Sequence, residues 1–230
     1  MRQLALQIQS PAPPTLDNFT CGRNAEALAA LRAIPPGGDG ETFVFLWGPA
    51  GSGKTHLLQG LFARLQHSGC PVRWVDGAAT TTPADLAGNH LLVDNVDRLA
   101  PALAEQVFHG WNRIREQGGL LVCTGLQAPA GLPLAPELAT RLAWGQVFRL
   151  HGLNDDEKRT ALGDRARSLA MPISDEALDY LLERASRDLP SLLATLDALD
   201  AHSLATRRAV TIPLIRELLH LLDHPFSLEP

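Results

Sequence analysis

Gly48-Pro49-Ala50-Gly51-Ser52-Gly53-Lys54-Thr55 is the stretch whose reading decides the fold. Its spacing, Gly-x4-Gly-Lys-Thr, follows the apolar run Thr42-Phe43-Val44-Phe45-Leu46-Trp47 and precedes a helical stretch from Leu57 to Gln66. A strand, a glycine loop and a helix in that order make a phosphate-binding loop. Gly48, Gly51 and Gly53 let the backbone wrap a polyphosphate with its N–H groups turned inward. The helix start adds the positive end of its dipole. Lys54 is placed to reach the β- and γ-phosphates, and the Thr55 hydroxyl to ligate Mg2+. The expected ligand is a nucleoside di- or triphosphate.

Outward from the loop, short apolar segments alternate with helical ones. Strands are expected at Thr42–Leu46, Val72–Val75, His90–Val93, Leu120–Thr124 and Gln146–Leu150, with helices near 24–33, 54–67, 102–117 and 135–142. That alternation predicts a parallel sheet covered on both faces. From about residue 153 the strands stop. Asn154 with Glu157, Ser174, Pro190 and Thr211 open four helices, and leucines at three- and four-residue spacing (Leu178, Leu181, Leu182; Leu192, Leu193, Leu196, Leu199) give them an apolar side. The expected architecture is α/β: a P-loop parallel sheet flanked by helices over 19–152, then a small all-α lid over 153–230. Residues 1–18 are expected to be a tail, with Gln3-Leu4-Ala5-Leu6-Gln7-Ile8 followed by the Pro-rich linker Ser10-Pro11-Ala12-Pro13-Pro14.

Composition bounds the function. The 230 residues carry a net charge of −5, and 45% are hydrophobic, ordinary for a packed globule. The terminal part from residue 153 holds nine basic and fourteen acidic residues, the opposite sign to a DNA-gripping appendage. No apolar run approaches the ~18 residues of a membrane helix and no signal pattern opens the chain, so no membrane contact is expected and the localisation is read as cytoplasmic. Cys21, Cys70 and Cys123 are odd in number and far apart, which fits reduced thiols and not a disulfide framework.

A second nucleotide motif ends the strand His90-Leu91-Leu92-Val93-Asp94. Asp94 suits a Walker-B carboxylate holding the water shell of Mg2+ at the C-terminal edge of the sheet. Asn95 follows it, and an amide cannot serve as a base, so hydrolysis by this chain alone is expected to be slow.

These motifs resemble the DnaA/Hda family of AAA+ proteins. Thr15-Leu16-Asp17-Asn18-Phe19, Cys21-Gly22-Arg23-Asn24, Gly48 to Leu58 and Val93-Asp94-Asn95 are similar to the AAA+ domain of the replication initiator DnaA. Asp155 to Leu169, Leu189 to Leu199 and Val210 to Leu218 resemble its helical lid in the same order. The likeness runs over about residues 15–222, and the initiator's DNA-binding domain is not expected here. Leu138 to Gln146, with its Arg141-Leu142-Ala143-Trp144-Gly145-Gln146 run, is similar to the Hda branch of that family. Gln3, Leu4, Leu6 and Ile8 look like the peptide that docks on the DNA sliding clamp, the β subunit of DNA polymerase III. On its own that hexapeptide is common by chance and reads as an edge strand or a free end; its place at the chain's start before a Pro-rich spacer suits a linear docking motif.

The resemblance implies a nucleotide-binding set of Asn24, Gly48, Ala50, Gly51, Ser52, Gly53, Lys54, Thr55, His56 and Asp94, with ADP or ATP and Mg2+ as cofactors. It implies Arg141 as an arginine presented to a neighbouring subunit's nucleotide, where a planar, permanent cation stabilises charge on the γ-phosphate. Thr124 takes the sensor-1 position, or is a satisfied strand-end hydroxyl. The usual sensor-2 arginine aligns with Pro190, and Arg187 stands one turn earlier as a substitute. Two functions follow: a clamp-docked regulator that stimulates ATP hydrolysis on DnaA, touching DNA only through the clamp, or a stand-alone initiator-like or loader-like ATPase acting on DNA. Self-association stays open.

Overall fold

In the computed structural model, described for residues 13–38, 40–79, 86–185 and 188–223, five strands form one parallel sheet in the order β2-β3-β4-β1-β5. They are β1 Glu41–Trp47, β2 Arg73–Asp76, β3 His90–Asp94, β4 Gly119–Gly125 and β5 Gln146–Arg149. The helices among them are α1 Ala25–Ala33, α2 Lys54–His67, α3 Pro101–Gln117 and α4 Pro136–Leu142. The core strands read as unbroken apolar runs because both faces are buried, yet their side chains still part by the two-residue period of a strand. Val44, Leu46, Leu120, Val122 and Leu92 pack with Leu28, Leu31, Leu57 and Leu61 of α1 and α2. Phe43, Phe45, Leu121, Cys123, Leu91 and Val93 pack with Val107, Trp111, Leu138 and Leu142 of α3 and α4. Because all strands run the same way, Trp47 and Gly125, and Asp76 and Asp94, finish as register partners on one edge of the sheet. That edge is where parallel sheets bind ligands.

The chain divides into two compact units, with the α/β unit running from Pro14 to Gly152. This departs from the expected tail over 1–18. Leu16 is 5% exposed within the core, and a Cβ on Gly60 of α2 would stand 2.7 Å from Thr15 C, so the segment lies directly on that helix. A single leucine among prolines and polar residues has no periodicity to announce its burial.

From Leu153 the other unit holds α5 Asp155–Ser168, α6 Asp175–Arg184, α7 Leu189–Thr206 and α8 Ile212–Asp223. The Asn154 side chain accepts from Glu157 N at 2.7 Å while Glu157 accepts from Asn154 N at 2.8 Å, a reciprocal cap that starts α5. Asp188, unremarked in the sequence, caps α7 through Ser191 N at 2.9 Å. Leu162, Leu181, Leu192, Leu196, Leu199, Leu214 and Ile215 fill the core between these helices. No helix of the described residues is long and apolar enough to cross a membrane.

Candidate nucleotide-binding site

The loop between β1 and α2 has the backbone its glycines predict. Gly51 and Gly53 have φ of 75° and 90°, conformations that a side chain rarely adopts. A Cβ on Gly48 would stand 2.2 Å from Leu150 O, and one on Gly53 would stand 2.6 Å from the Phe19 ring. The first glycine therefore lets the loop leave the sheet beside β5, and the last leaves room for an aromatic wall. Ala50 and Gly51 are exposed at the tip of the loop, and Ser52 is buried behind it. The buried Lys54 ammonium donates to Gly48 O and Pro49 O at 2.8 Å each and reaches Ser52 Oγ at 3.4 Å. Burial lowers its pKa, while the nearby Asp94 and Asp97 oppose that shift. A cation resting on carbonyls can move to a phosphate with little rearrangement, since carbonyl partners leave its charge uncancelled.

Thr55, at the start of α2, donates through Oγ1 to Asp94 Oδ2 at 2.8 Å. Asp94 is 2% exposed, and its other oxygen accepts from the hydroxyl of Thr124. The hydroxyl of Thr124 in turn accepts from Asn95 N at 3.0 Å. A hard oxygen-donor pair of one hydroxyl and one buried carboxylate, beside a loop built for phosphates, fits Mg2+ completed by phosphate oxygens and water. When bound, that ion neutralises charge on the β- and γ-phosphate oxygens; Thr55 and Asp94 would hold it. Thr124 is fully buried, and its hydroxyl, donating to Asp94 and accepting from Asn95 N, holds the carboxylate in place.

Three further residues make their contacts away from the phosphate loop. The amide of Asn24 is taken by the backbone of His151, donating to its O at 2.9 Å and accepting from its N at 2.8 Å. It ties the start of α1 to the segment that follows β5. His56 turns the same way: Nε2 meets Thr15 O at 3.0 Å and Asn18 Oδ1 at 2.9 Å, and burial lowers its pKa. It anchors the segment 15–18 on α2. Arg141, on α4, donates to Asn112 Oδ1 and to Glu137 O at 3.2 Å each, with its guanidinium over the rings of Phe108 (4.1 Å) and Trp111 (5.2 Å). None of these partners belongs to the phosphate loop, so the fold assembles Lys54, Thr55, Asp94 and Thr124 and leaves Arg141 outside that group. Arg187, Gln3, Leu4, Leu6 and Ile8 lie outside the described residues.

Phe19 and Asp76 carry parts of the site that the sequence reading passed over. The Phe19 ring lies against Gly53 of the loop. Asp76 ends β2 and accepts from Asn95 Nδ2 at 3.0 Å.

Residues 155–219 match the family described as Hda, lid domain. The chain is similar in structure to domain III of the Thermotoga maritima replication initiation protein DnaA, at 21% identity and a TM-score of 0.69, over 90% of this chain and 95% of that one. It is also similar to AMPPCP-bound DnaA from Aquifex aeolicus, at 19% identity and a TM-score of 0.71, over 95% of this chain and 74% of that one. A RuvB variant of Thermotoga maritima is similar at 21% identity and a TM-score of 0.66, over 94% of this chain and 74% of that one. At these identities the structural likeness establishes the fold, and the lid match concerns residues 155–219. The chain thus joins a phosphate loop, on a sheet with the fold of DnaA domain III, to residues 155–219 that match the Hda lid domain.

Proposed function

We propose that this chain is a nucleotide-binding regulator of replication initiation. Docked on the DNA sliding clamp through Gln3, Leu4, Leu6 and Ile8, it presents Arg141 to ATP bound on DnaA and stimulates its hydrolysis there, which prevents re-initiation. The observation that carries the reading is the Hda lid match over residues 155–219. The chain's own ligand is ADP or ATP with Mg2+, held by the loop N–H groups, Lys54, Thr55 and Asp94. The AMPPCP found on the DnaA of Aquifex aeolicus supports an adenine nucleotide.

The environment of Arg141 suits an arginine used on a partner. It rests on Phe108 and Trp111. Such a cation–π contact at a partly exposed site holds it by only about 0.5–1 kcal/mol. A γ-phosphate offers bidentate, charge-assisted bonds that outweigh this. Stimulation of this kind acts on the transition state, so it belongs in rate and not in affinity.

The test is phosphate release from ATP on DnaA, with clamp-loaded DNA and this chain. Arg141→Ala should keep nucleotide and clamp binding and lose about 10³-fold in stimulated rate. Arg141→Lys should recover little, because the ammonium lacks the planar fork. Alanine at Gln3, Leu4 and Leu6 together should abolish clamp pull-down and leave the thermal midpoint unchanged. Full stimulation by Arg141→Ala would refute the reading. It would favour the second one, a stand-alone ATPase acting on DNA, for which the Thr55–Asp94–Thr124 network is the supporting observation.

A further inference from the structure

His56 follows Lys54 and Thr55 on α2, yet its ring is engaged by a segment far back in the chain. Nε2 stands 3.0 Å from Thr15 O and 2.9 Å from Asn18 Oδ1. A carbonyl oxygen only accepts, so Nε2 carries the proton and donates. The segment is closed on itself: Thr15 N donates to Asn18 Oδ1 at 2.8 Å, and Asn18 N to Thr15 Oγ1 at 3.0 Å. From α1, Arg32 Nη2 donates to Leu16 O at 3.0 Å and to Asp17 Oδ1 at 2.9 Å. The Asp17 side chain is 92% exposed, and ion pairs in water contribute little. Leu16 is buried beneath with leucines of α1 and α2, so residues 15–18 lie as a strap on those helices.

Phe19 carries this strap on to the phosphate loop. Its ring is half-buried and lies 5.5 Å from that of His56, centroid to centroid. The other contact is Gly53: a Cβ there would stand 2.6 Å from Phe19 Cε2 and 3.3 Å from its Cζ. Gly53 has φ 90°, and its carbonyl accepts from Leu57 N at 3.0 Å, so it is the joint between the loop and α2. Glycine loses more conformational freedom on ordering than any other residue. A ring packed on that joint removes part of the freedom before a ligand arrives, and a preordered site binds more tightly.

We propose that His56 is a positioning residue of the nucleotide site: by fixing Thr15 and Asn18 it holds the Phe19 ring against Gly53 and keeps the phosphate loop ordered for its ligand. His56 acts through the strap and Phe19, and not by a contact of its own with the phosphates. The effect falls on ADP and ATP alike, because the ring backs the joint of the loop and not the γ-phosphate. It belongs in the release of the nucleotide, since an ordered loop lets its ligand go more slowly. This rests on the nucleotide reading of the phosphate loop, and not on the trans action of Arg141.

The experiment is calorimetry of ADP and ATP binding to the full chain, with release of a fluorescent ADP analogue followed by stopped flow. His56→Ala and Phe19→Ala should each weaken ADP about fivefold, the worth of a lost hydrogen bond or ring contact, with a matching rise in the release rate. ATP should weaken by the same factor. The double variant should be no weaker than the weaker single, to within about twofold, because the two residues act through one strap. His56→Gln should bind within about twofold of wild type, because its amide nitrogen stands as many bonds from the backbone as Nε2 and donates to the same oxygens. A histidine that only stabilised the fold would show neither the coupling to Phe19 nor that rescue. Should Phe19→Ala not fold, Phe19→Leu takes its place in the cycle. Wild-type ADP affinity in His56→Ala overturns the proposal, as do losses that multiply in the double variant, or a His56→Gln chain as weak as His56→Ala. Failure of ADP to bind the wild-type chain, or full ADP affinity in Lys54→Met, would instead remove the nucleotide reading, and this proposal with it.

Discussion

The α/β unit and the helical unit bury opposite kinds of residue. Among the described residues, the buried polar and charged ones are Asn24, Ser52, Lys54, Asp94 and Thr124, all within Pro14–Gly152. The helical unit's core is leucine, isoleucine, alanine, valine and methionine. Burying a polar group is unfavourable unless it is hydrogen-bonded, and burying a charge more so. A unit that needed only to fold would resemble the helical one. Four of the five buried polar residues instead gather at the phosphate loop and the end of β3, where Lys54 sits on carbonyls and Asp94 is held by two threonines. The difference separates a surface shaped for a ligand from a core shaped for its own stability.

That contrast can be broken most severely in the helical core. Leu181 is fully buried between its neighbours, so Leu181→Ala should cost about 2–5 kcal/mol in the unfolding of that unit. Hydrogen exchange should show faster opening of α6 and α7; wild-type protection there would mean that this core does not hold the unit together. The α/β unit should respond in the reverse sense. Lys54→Met removes a buried cation while keeping the apolar stem, so the thermal midpoint without nucleotide should hold or rise. ADP affinity should fall by about tenfold to a hundredfold, the worth of charge-assisted bonds to phosphate. A drop in the nucleotide-free midpoint as large as that of Leu181→Ala would show that Lys54 is structural.

The smallest expected effect concerns His56. Burial lowers its pKa from the ordinary 6.5, so the folded state favours the neutral ring. The unfolded chain then binds more protons as pH falls below about 6.5, and stability is lost as pH drops from there towards the lowered folded value. Thermal midpoints between pH 7.5 and 5 should decline with that sign, and His56→Gln should flatten part of the slope. An unchanged slope would mean that other groups carry it.

What could be read in advance had local causes. Glycine conformations and a strand-loop-helix order mark residues 48–55; unbroken apolar runs mark β1, β3 and β4; capping residues and leucine spacing mark α5 to α8. Each depends on neighbours a few residues apart, so sequence carries it. Leu16, within the stretch read as a tail, is buried against α2, far along the chain. Asn24 and His56 carried the right residue types for a nucleotide pocket, and the fold uses both to tie backbone segments together.

The sequence by itself determined that a polyphosphate loop leads into α2, that a carboxylate ends an apolar strand, and that a helical bundle follows the sheet. Only the tertiary structure decided which side chains meet. Thr55 and Asp94 touch across 39 residues because β3 lies near β1 with β4 between them. Asp76 reaches Asn95 because β2 is the neighbour of β3 and Gly77 lets their ends close. Arg141 lies on the aromatic face of α3, away from the loop. Strand order and helix packing arise from burying whole faces at once, a collective balance that no local run of residues encodes.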